Sequence, residues 1–176
     1  MKILYFLRHA KSGWDAPVAS DFDRPLERRG YKAARAMGRE MRGLGLAFDQ
    51  VLASPAVRVT ETLEGVAEAY GHDLGAEEDP HIYLASVATL LGIVRGCADE
   101  HDRLLIVGHN PGMEQLALQL AGGGGLRDRM AAKFPTAALA EIALPVTRWR
   151  DVTEGEGKLE RFIRPRDLDP ELGPDA

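Results

Sequence analysis

The sequence contains little that would support a disulfide framework or a membrane anchor. Its single cysteine, Cys97, can form neither an intrachain disulfide nor a cysteine-rich zinc site. No apolar run approaches the roughly 18 residues of a membrane span. The apolar run at residues 3–7 is also shorter than the core of a signal peptide, which needs about 7 to 15 apolar residues. We therefore expect a cytoplasmic protein without a membrane partner.

Positive charge is scarce as well. The chain has 22 Lys and Arg against 27 Asp and Glu, which gives a formal net charge of -5. This balance disfavours a broad basic face, so we expect no nucleic-acid partner. The content of 45% hydrophobic and 28% charged residues is typical of a folded globular protein. A length of 176 residues predicts one domain, placed at 1–164, followed by a flexible C-terminal tail at 165–176 that contains three prolines.

Short apolar runs alternate with helical periodicity along the chain. The predicted strands are residues 3–7, 49–53, 103–107, 137–144, 146–152 and 158–163. The predicted helices are residues 27–44, 55–70 and 86–97, with a further helix that begins near Pro111. Ser54 is the predicted N-cap of the second helix, with Pro55 as its first residue, and the glycines at 122–125 are predicted to be a flexible connection. The alternation predicts an α/β fold with a mostly parallel central sheet and helices on both faces.

Polar residues follow three of the predicted strands. Arg8 and His9 end the first strand, Arg58 lies in the helix after the second, and His109 follows the third. Because ligands bind beyond the carboxyl ends of parallel strands, we expect these side chains to meet in one crevice. Arginine forks and a helix N-terminus bind phosphate oxygens, and a neutral imidazole can attack phosphorus. The sequence therefore predicts a phosphate-handling site.

Several motifs in this order resemble the histidine phosphatase superfamily, and specifically its small SixA-type phosphohistidine phosphatase branch. Leu-Arg-His-Ala-Lys-Ser at residues 7–12 is similar to the opening Arg-His motif of the family, with Ala10 where many relatives have glycine. The other similar stretches are residues 23–30, 54–62, 107–112 and 133–136. The resemblance implies a three-layer sandwich of the phosphoglycerate-mutase-like type, with a mostly parallel sheet between helices.

The resemblance also implies roles for four residues. His9 would be the nucleophile that becomes transiently phosphorylated, and Arg8, Arg58 and His109 would hold the phosphoryl oxygens. We add Ser12 as a substrate-binding residue. Donors that are fixed around the equatorial oxygens can stabilise phosphoryl transfer without a metal, so no metal or other cofactor is expected.

The general acid is not identified by the resemblance. Its candidates are Glu78, Asp79 and His81, with Asp15 and Asp21 in the first loop as more distant possibilities. A phosphohistidine leaves as imidazole, whose pKa near 6.5 makes it a far better leaving group than an alkoxide. The missing acid therefore favours a phosphoramidate substrate.

We interpret the chain as a metal-independent phosphatase that removes phosphate from a protein phosphohistidine, for example on a histidine-phosphotransfer domain. Two alternatives remain open at this point: a phosphatase of small phosphate esters, and a non-catalytic module that binds phosphate. Arg58 could also be a solvated helix residue paired with Glu61 or Thr62. Lys11, Arg24 and Arg28 are equally compatible with a basic rim that attracts a phosphorylated protein and with an ordinary solvated surface.

Overall fold

A six-stranded sheet forms the centre of the molecule in the computed structural model, which describes residues 1–15 and 17–173. The strands are β1 (Lys2–Arg8), β2 (Gln50–Ala53), β3 (Glu77–Glu78), β4 (Arg103–Gly108), β5 (Leu139–Leu144) and β6 (Lys158–Ile163). Their order across the sheet is β3-β2-β4-β1-β5-β6. The four strands from β3 to β1 are parallel, whereas β5 pairs antiparallel with both β1 and β6. The prediction of a mostly parallel sheet is confirmed.

Helices cover both faces of this sheet. They are α1 (Arg28–Gly43), α2 (Val57–Tyr70), α3 (Val87–Arg95), α4 (Gly112–Leu120), α5 (Gly125–Ala132) and α6 (Pro165–Leu168). Successive residues of β1 and β4 point to opposite faces, so Phe6 and Ile106 lie in the core under α3 and α4, while Leu7 and Val107 lie in the core under α1 and α2. Both faces are covered, which explains why these strands are apolar without alternation. The fold is an α/β three-layer sandwich of the phosphoglycerate-mutase-like type.

The prediction of a strand at residues 146–152 is wrong. This segment contains a single 3-10 turn, Trp149–Asp151, because the Trp149 side chain turns inward and is completely buried. Its indole Nε1 donates to the His101 carbonyl oxygen at 2.7 Å, and its backbone N–H donates to Asp99 Oδ1 at 2.9 Å. The hydrophobic residues that suggested a strand therefore flank one buried aromatic side chain, Trp149.

Four smaller differences concern individual segments. Strand β3 was not predicted, and α5 begins directly at Gly125, where a flexible connection was predicted. Helix α2 begins at Val57 with Ala56 as its N-cap, so Ser54 does not cap it. The tail predicted at 165–176 contains α6 and a 3-10 turn, Pro170–Leu172, whose Leu172 side chain is buried in the core with α1. Residues 174–176 lie outside the described residues.

Within the described parts of the chain, no helix combines the length and the apolar character that a membrane crossing requires.

Candidate active site

A pocket of about 360 Å³ lies at the carboxyl ends of β1 and β4. It contains the five residues that the sequence analysis selected, Arg8, His9, Ser12, Arg58 and His109. The other lining residues are Lys11, Asp21, Arg24, Leu84, Asn110 and Thr136. Four of the lining side chains are arginine or lysine and one is a carboxylate, so the pocket has the electrostatic character of an anion site. The expected convergence of the three polar segments in one crevice is confirmed.

The His9 ring is fixed directly after β1. Its Nδ1 lies 2.8 Å from the Ala10 carbonyl oxygen, which can only accept a hydrogen bond, so Nδ1 carries the proton. The other nitrogen, Nε2, therefore keeps its lone pair. Burial lowers the pKa of His9 to about 3, and the neighbouring His109, Arg8 and Arg58 act in the same direction. At neutral pH this imidazole is uncharged, which is the form that can act as a nucleophile.

Arg58 lies in the first turn of α2, and its side chain lines the pocket. Its side chain is only 2% exposed, which excludes the alternative of a solvated helix residue. The guanidinium donates to the Asp21 carbonyl oxygen at 2.8 Å, to Asp21 Oδ2 at 3.0 Å and to His109 Nδ1 at 3.2 Å. Because Asp21 and His109 hold the planar guanidinium group from two sides, its N–H donors have fixed directions. Fixed donors of this kind suit the recognition of phosphate oxygens.

The His109 ring lies beside His9, with ring centroids 5.3 Å apart. Because Arg58 can only donate, His109 Nδ1 accepts, and the proton is on Nε2, which donates to Ser54 Oγ at 2.8 Å. Burial, first, and the positive charge of Arg58 together lower the pKa of His109 to about 4. Ser54 thus orients an imidazole, a role that its position before a helix did not reveal.

The stretch at residues 133–136 closes the pocket next to Arg8. The Phe134 carbonyl oxygen accepts hydrogen bonds from Arg8 Nη1 at 2.9 Å and from Asn110 Nδ2 at 3.0 Å. The Ala137 N–H donates to the carbonyl oxygens of Arg8 and His9 at 3.1 and 3.0 Å. This segment therefore fixes the backbone on which the first arginine and histidine stand.

Two residues of α2 on the same helix side as Arg58 hold the first loop in place. Thr62 Oγ1 accepts from the Ala10 N–H at 2.8 Å and donates to the Arg58 carbonyl oxygen at 2.6 Å. Glu61 accepts from the Leu26 N–H at 2.8 Å and from the Tyr31 hydroxyl at 2.7 Å. Neither residue pairs with the Arg58 guanidinium. The sequence analysis missed these roles, although a spacing of three and four from Arg58 places both residues on its helix face.

The candidate acids are not equivalent in the structure. Asp21 lines the pocket, and hydrogen bonds from Tyr83, first, and from Arg58 lower its pKa to about 2. Glu78 lines a different cavity beside α2, Asp79 accepts a hydrogen bond from the His81 N–H, and Asp15 is exposed in the first loop. Of all five candidates, only Asp21 lies among the residues that line the pocket.

No group of three or more His, Cys, Asp and Glu side chains in residues 1–15 and 17–173 is arranged to hold a metal ion.

The comparisons with known proteins agree with this geometry. Residues 4–82 match the model of the histidine phosphatase superfamily, branch 1. An uncharacterized protein of Mycobacterium tuberculosis is 35% identical over 164 residues, which cover 91% of this chain and 100% of the relative. Phosphohistidine phosphatase SixA of Escherichia coli is 27% identical over 80% of this chain and 84% of its own length.

A solved structure of the protein histidine phosphatase SixA complexed with tungstate is 25% identical to this chain and superimposes with a TM-score of 0.77, covering 95% of this chain and 99% of the other. The family match, the full-length relative and the shared fold lead to one assignment. The chain belongs to the histidine phosphatase superfamily and is a phosphatase.

Proposed function

We propose that this phosphatase removes phosphate from a phosphohistidine on a protein through a covalent phospho-His9 intermediate. The observation that carries the proposal is the kind of carboxyl group found in the pocket. Among the described residues that line it, Asp21 is the only carboxylic acid, and its pKa is lowered to about 2. A group that is ionised at neutral pH cannot protonate a leaving group.

This property favours a phosphoramidate over a phosphate ester. An alkoxide leaving group needs a proton from a general acid, a contribution of roughly 10² to 10⁴ in rate. The ring of a phosphohistidine has a second nitrogen that can be protonated from solvent at the mouth of the pocket. It then leaves readily as a neutral imidazole, whose conjugate acid has a pKa near 6.5. A site without an available acid is therefore adequate for phosphohistidine and inadequate for most esters.

The first step transfers the phosphoryl group from one imidazole to another. His9 Nε2 donates its lone pair to phosphorus, and the bond from phosphorus to the substrate nitrogen breaks. That nitrogen keeps the bonding electrons, and the substrate ring, already protonated on its other nitrogen, leaves as a neutral imidazole. The Nδ1–H bond to the Ala10 carbonyl oxygen stabilises the positive charge that develops on the His9 ring. The bond formed and the bond broken are both phosphorus–nitrogen bonds, so the step needs little driving force.

Four residues are assigned to the phosphoryl oxygens. Arg8 and Arg58 supply the guanidinium donors, and Ser12 lies at the pocket wall. His109 donates to an oxygen once the negative charge of the bound phosphoryl group favours a second proton, on Nδ1. Negative charge spreads over the equatorial oxygens in the transition state, and donors that are already fixed stabilise it without reorganisation. In the second step a water molecule attacks phosphorus, the bond to His9 Nε2 breaks, and inorganic phosphate leaves.

The relatives support the same substrate class. Two of the similar proteins are described as SixA, one as a phosphohistidine phosphatase and one as a protein histidine phosphatase bound to tungstate. Tungstate is a tetrahedral oxyanion of the same shape as phosphate. A phosphorylated histidine-phosphotransfer domain is accordingly the partner that we propose.

A steady-state assay of the purified chain tests the proposal. Phosphate release is measured from a phosphohistidine-bearing histidine-phosphotransfer domain and from p-nitrophenyl phosphate, with His9→Ala as the control for contaminating phosphatases. We expect a kcat/KM on phosphohistidine that is at least about 10² higher than on the ester, the size of one missing general acid. Comparable or faster hydrolysis of the ester would contradict the phosphohistidine assignment and favour small phosphate esters.

A further inference from the structure

Two large apolar side chains are exposed at the mouth of the pocket. Trp14 is 70% exposed and Leu84 is 56% exposed. Leu84 lines the pocket itself, and Trp14 is two residues from Ser12, which also lines it. Large apolar side chains placed beside a functional site are typical of a binding surface, whereas scattered ones need no explanation.

The Trp14 ring is held in place although it is exposed. The Arg24 guanidinium carbon lies 4.0 Å from the ring centroid, a cation–π contact. Arg24 Nε in turn donates to Asp21 Oδ1 at 3.0 Å, and Asp21 accepts from Arg58. The ring is therefore connected through three contacts to the phosphate-binding arginine. A preorganised aromatic side chain loses little conformational freedom when a partner covers it.

Leu84 adds an independent observation. Its backbone φ is 49°, in the left-handed region that residues other than Gly, Asn and Asp rarely adopt. Such strain persists only where the surrounding structure enforces it, and it concentrates at ligand sites. Here it directs an apolar side chain towards solvent at the pocket wall.

We propose that Trp14 and Leu84 form a docking surface that contacts the protein around the phosphohistidine and so selects protein substrates over free phosphorylated compounds. The inference rests on the proposed function. A phosphorylated side chain that reaches His9 continues outward through the mouth of the pocket, so the protein that carries it must cover these two residues. Lys11 and Arg24 beside them complement a partner whose surface is acidic around an apolar contact.

The test compares the hydrolysis of phosphohistidine when a protein carries it and when it is a free amino acid. Rates are measured on the phosphorylated histidine-phosphotransfer domain and on the free amino acid phosphohistidine, for the wild type, Trp14→Ala and Trp14→Phe. Leu44→Ala is the matched control, because Leu44 is also exposed, at 37%, but follows the last residue of α1 and does not line the pocket. We expect Trp14→Ala to lower the ratio of kcat/KM on the protein to kcat/KM on the free amino acid about tenfold, mainly through KM. Trp14→Phe keeps most of the ratio, and Leu44→Ala keeps all of it.

The outcomes separate the docking surface from the proposed function. An equal loss on both carriers, or no loss on the protein, overturns the docking surface while the phosphohistidine assignment stands. A wild type that hydrolyses p-nitrophenyl phosphate in a His9-dependent reaction but neither phosphohistidine carrier overturns both. Self-association of the wild type that Trp14→Ala abolishes, measured by sedimentation, assigns the surface to a second copy of this chain and also overturns the proposal.

Tryptophan fluorescence gives a second measurement that does not depend on turnover. The chain has two tryptophans, Trp14 at 70% exposure and the completely buried Trp149. With His9→Ala and a phosphorylated domain that lacks tryptophan, we expect binding to shift the emission to shorter wavelength and to reduce quenching by acrylamide. Further replacement Trp14→Phe leaves only Trp149 and removes the change. Quenching of Trp14 that is unaffected by a saturating domain contradicts the docking surface.

Discussion

Positively charged side chains at the two ends of the central sheet differ in how far other groups of the protein neutralise them. At the amino end of β1, the Lys2 ammonium donates to the carbonyl oxygens of Asp99 and His101 at 2.5 and 3.1 Å and to Asp102 Oδ1 at 2.8 Å. An ammonium has three protons, so all of its donors have partners. At the carboxyl end, Arg8, Lys11, Arg24 and Arg58 surround a pocket whose only lining carboxylate within the described residues is Asp21.

This difference separates charge that stabilises the fold from charge that is available to a ligand. The bonds of Lys2 join the start of β1 to the loop before β4 and complete a local structure. The carboxyl end retains an excess of positive charge, which suits the pocket to an anion. Burial, first, and this charge keep His9 and His109 neutral by lowering their pKa values. Substitutions at the two ends should therefore have separate consequences, one for activity and one for stability.

The largest expected effect is that of His9→Ala. Loss of the proposed nucleophile should lower kcat by on the order of 10⁴-fold or more, while the remaining cations still bind inorganic phosphate measurably by calorimetry. His72→Ala removes an exposed histidine outside the pocket and is the matched control. Turnover that survives in His9→Ala would exclude the phospho-His9 mechanism.

Arg58→Ala should have the second-largest effect on activity. Because this variant removes a fixed donor and leaves the Asp21 carboxylate in the pocket without its buried partner, kcat/KM should fall by about 10² to 10³, and phosphate binding should weaken as well. Arg39→Ala, at an exposed position of α1, serves as the control. A variant with normal phosphate affinity would show that Arg58 does not hold the anion.

Lys2→Met tests the other end of the sheet. The change leaves the Asp99 carbonyl oxygen without its donor, whereas the His101 carbonyl oxygen still accepts from Trp149 Nε1. The free energy of unfolding in urea should therefore decrease by roughly 1–3 kcal/mol, while kcat/KM stays near the wild-type value. Lys158→Met removes an exposed lysine that pairs with Glu160 and should change stability by less than about 1 kcal/mol. A large loss of activity in folded Lys2→Met would mean that the two ends are coupled.

The smallest effect concerns acid stability. The pKa of His9 is about 3 in the folded protein against 6.5 for an ordinary histidine, so below pH 6.5 the unfolded chain binds a proton that the folded chain does not. The free energy of unfolding should therefore fall as the pH decreases from 6.5 towards 3, by about 1 kcal/mol for this group between pH 7 and 5.5. His9→Gln should show a shallower decline in urea titrations. Identical slopes for the two proteins would mean that His9 is not held neutral by burial.

The sequence predicted the parts of the fold that follow from local periodicity. Strands β1, β2 and β4 and helices α1, α2 and α3 were placed within a few residues of their observed ends. The error at residues 146–152 has a tertiary cause, since the burial of Trp149 against His101 depends on chain nearly 50 residues away. The 3-10 turn after α6 was missed for a similar reason, because Leu172 packs in the core with α1.

For the pocket, the sequence identified which residues meet but could not show how they hold one another. Arg8, His9, Arg58 and His109 follow strand ends or begin a helix, so the topology rule brings them together. The link from Ser54 to His109 and the bonds from Asp21 to Arg58 join residues 55 and 37 positions apart. Such pairs leave no periodic pattern in one sequence, and they decide which nitrogen is protonated and which carboxyl is ionised.

The pairing of β1 with β4 sets the relative position of His9 and His109. The register places Arg8 beside Gly108, and the His9 N–H donates to the Gly108 carbonyl oxygen at 3.0 Å, so the two imidazoles stand on neighbouring rungs of one backbone ladder. The spacing between His9 and His109 is thus set by the backbone of two paired strands. One inserted residue in either strand would therefore separate the two imidazoles, even if every side chain of the pocket were retained.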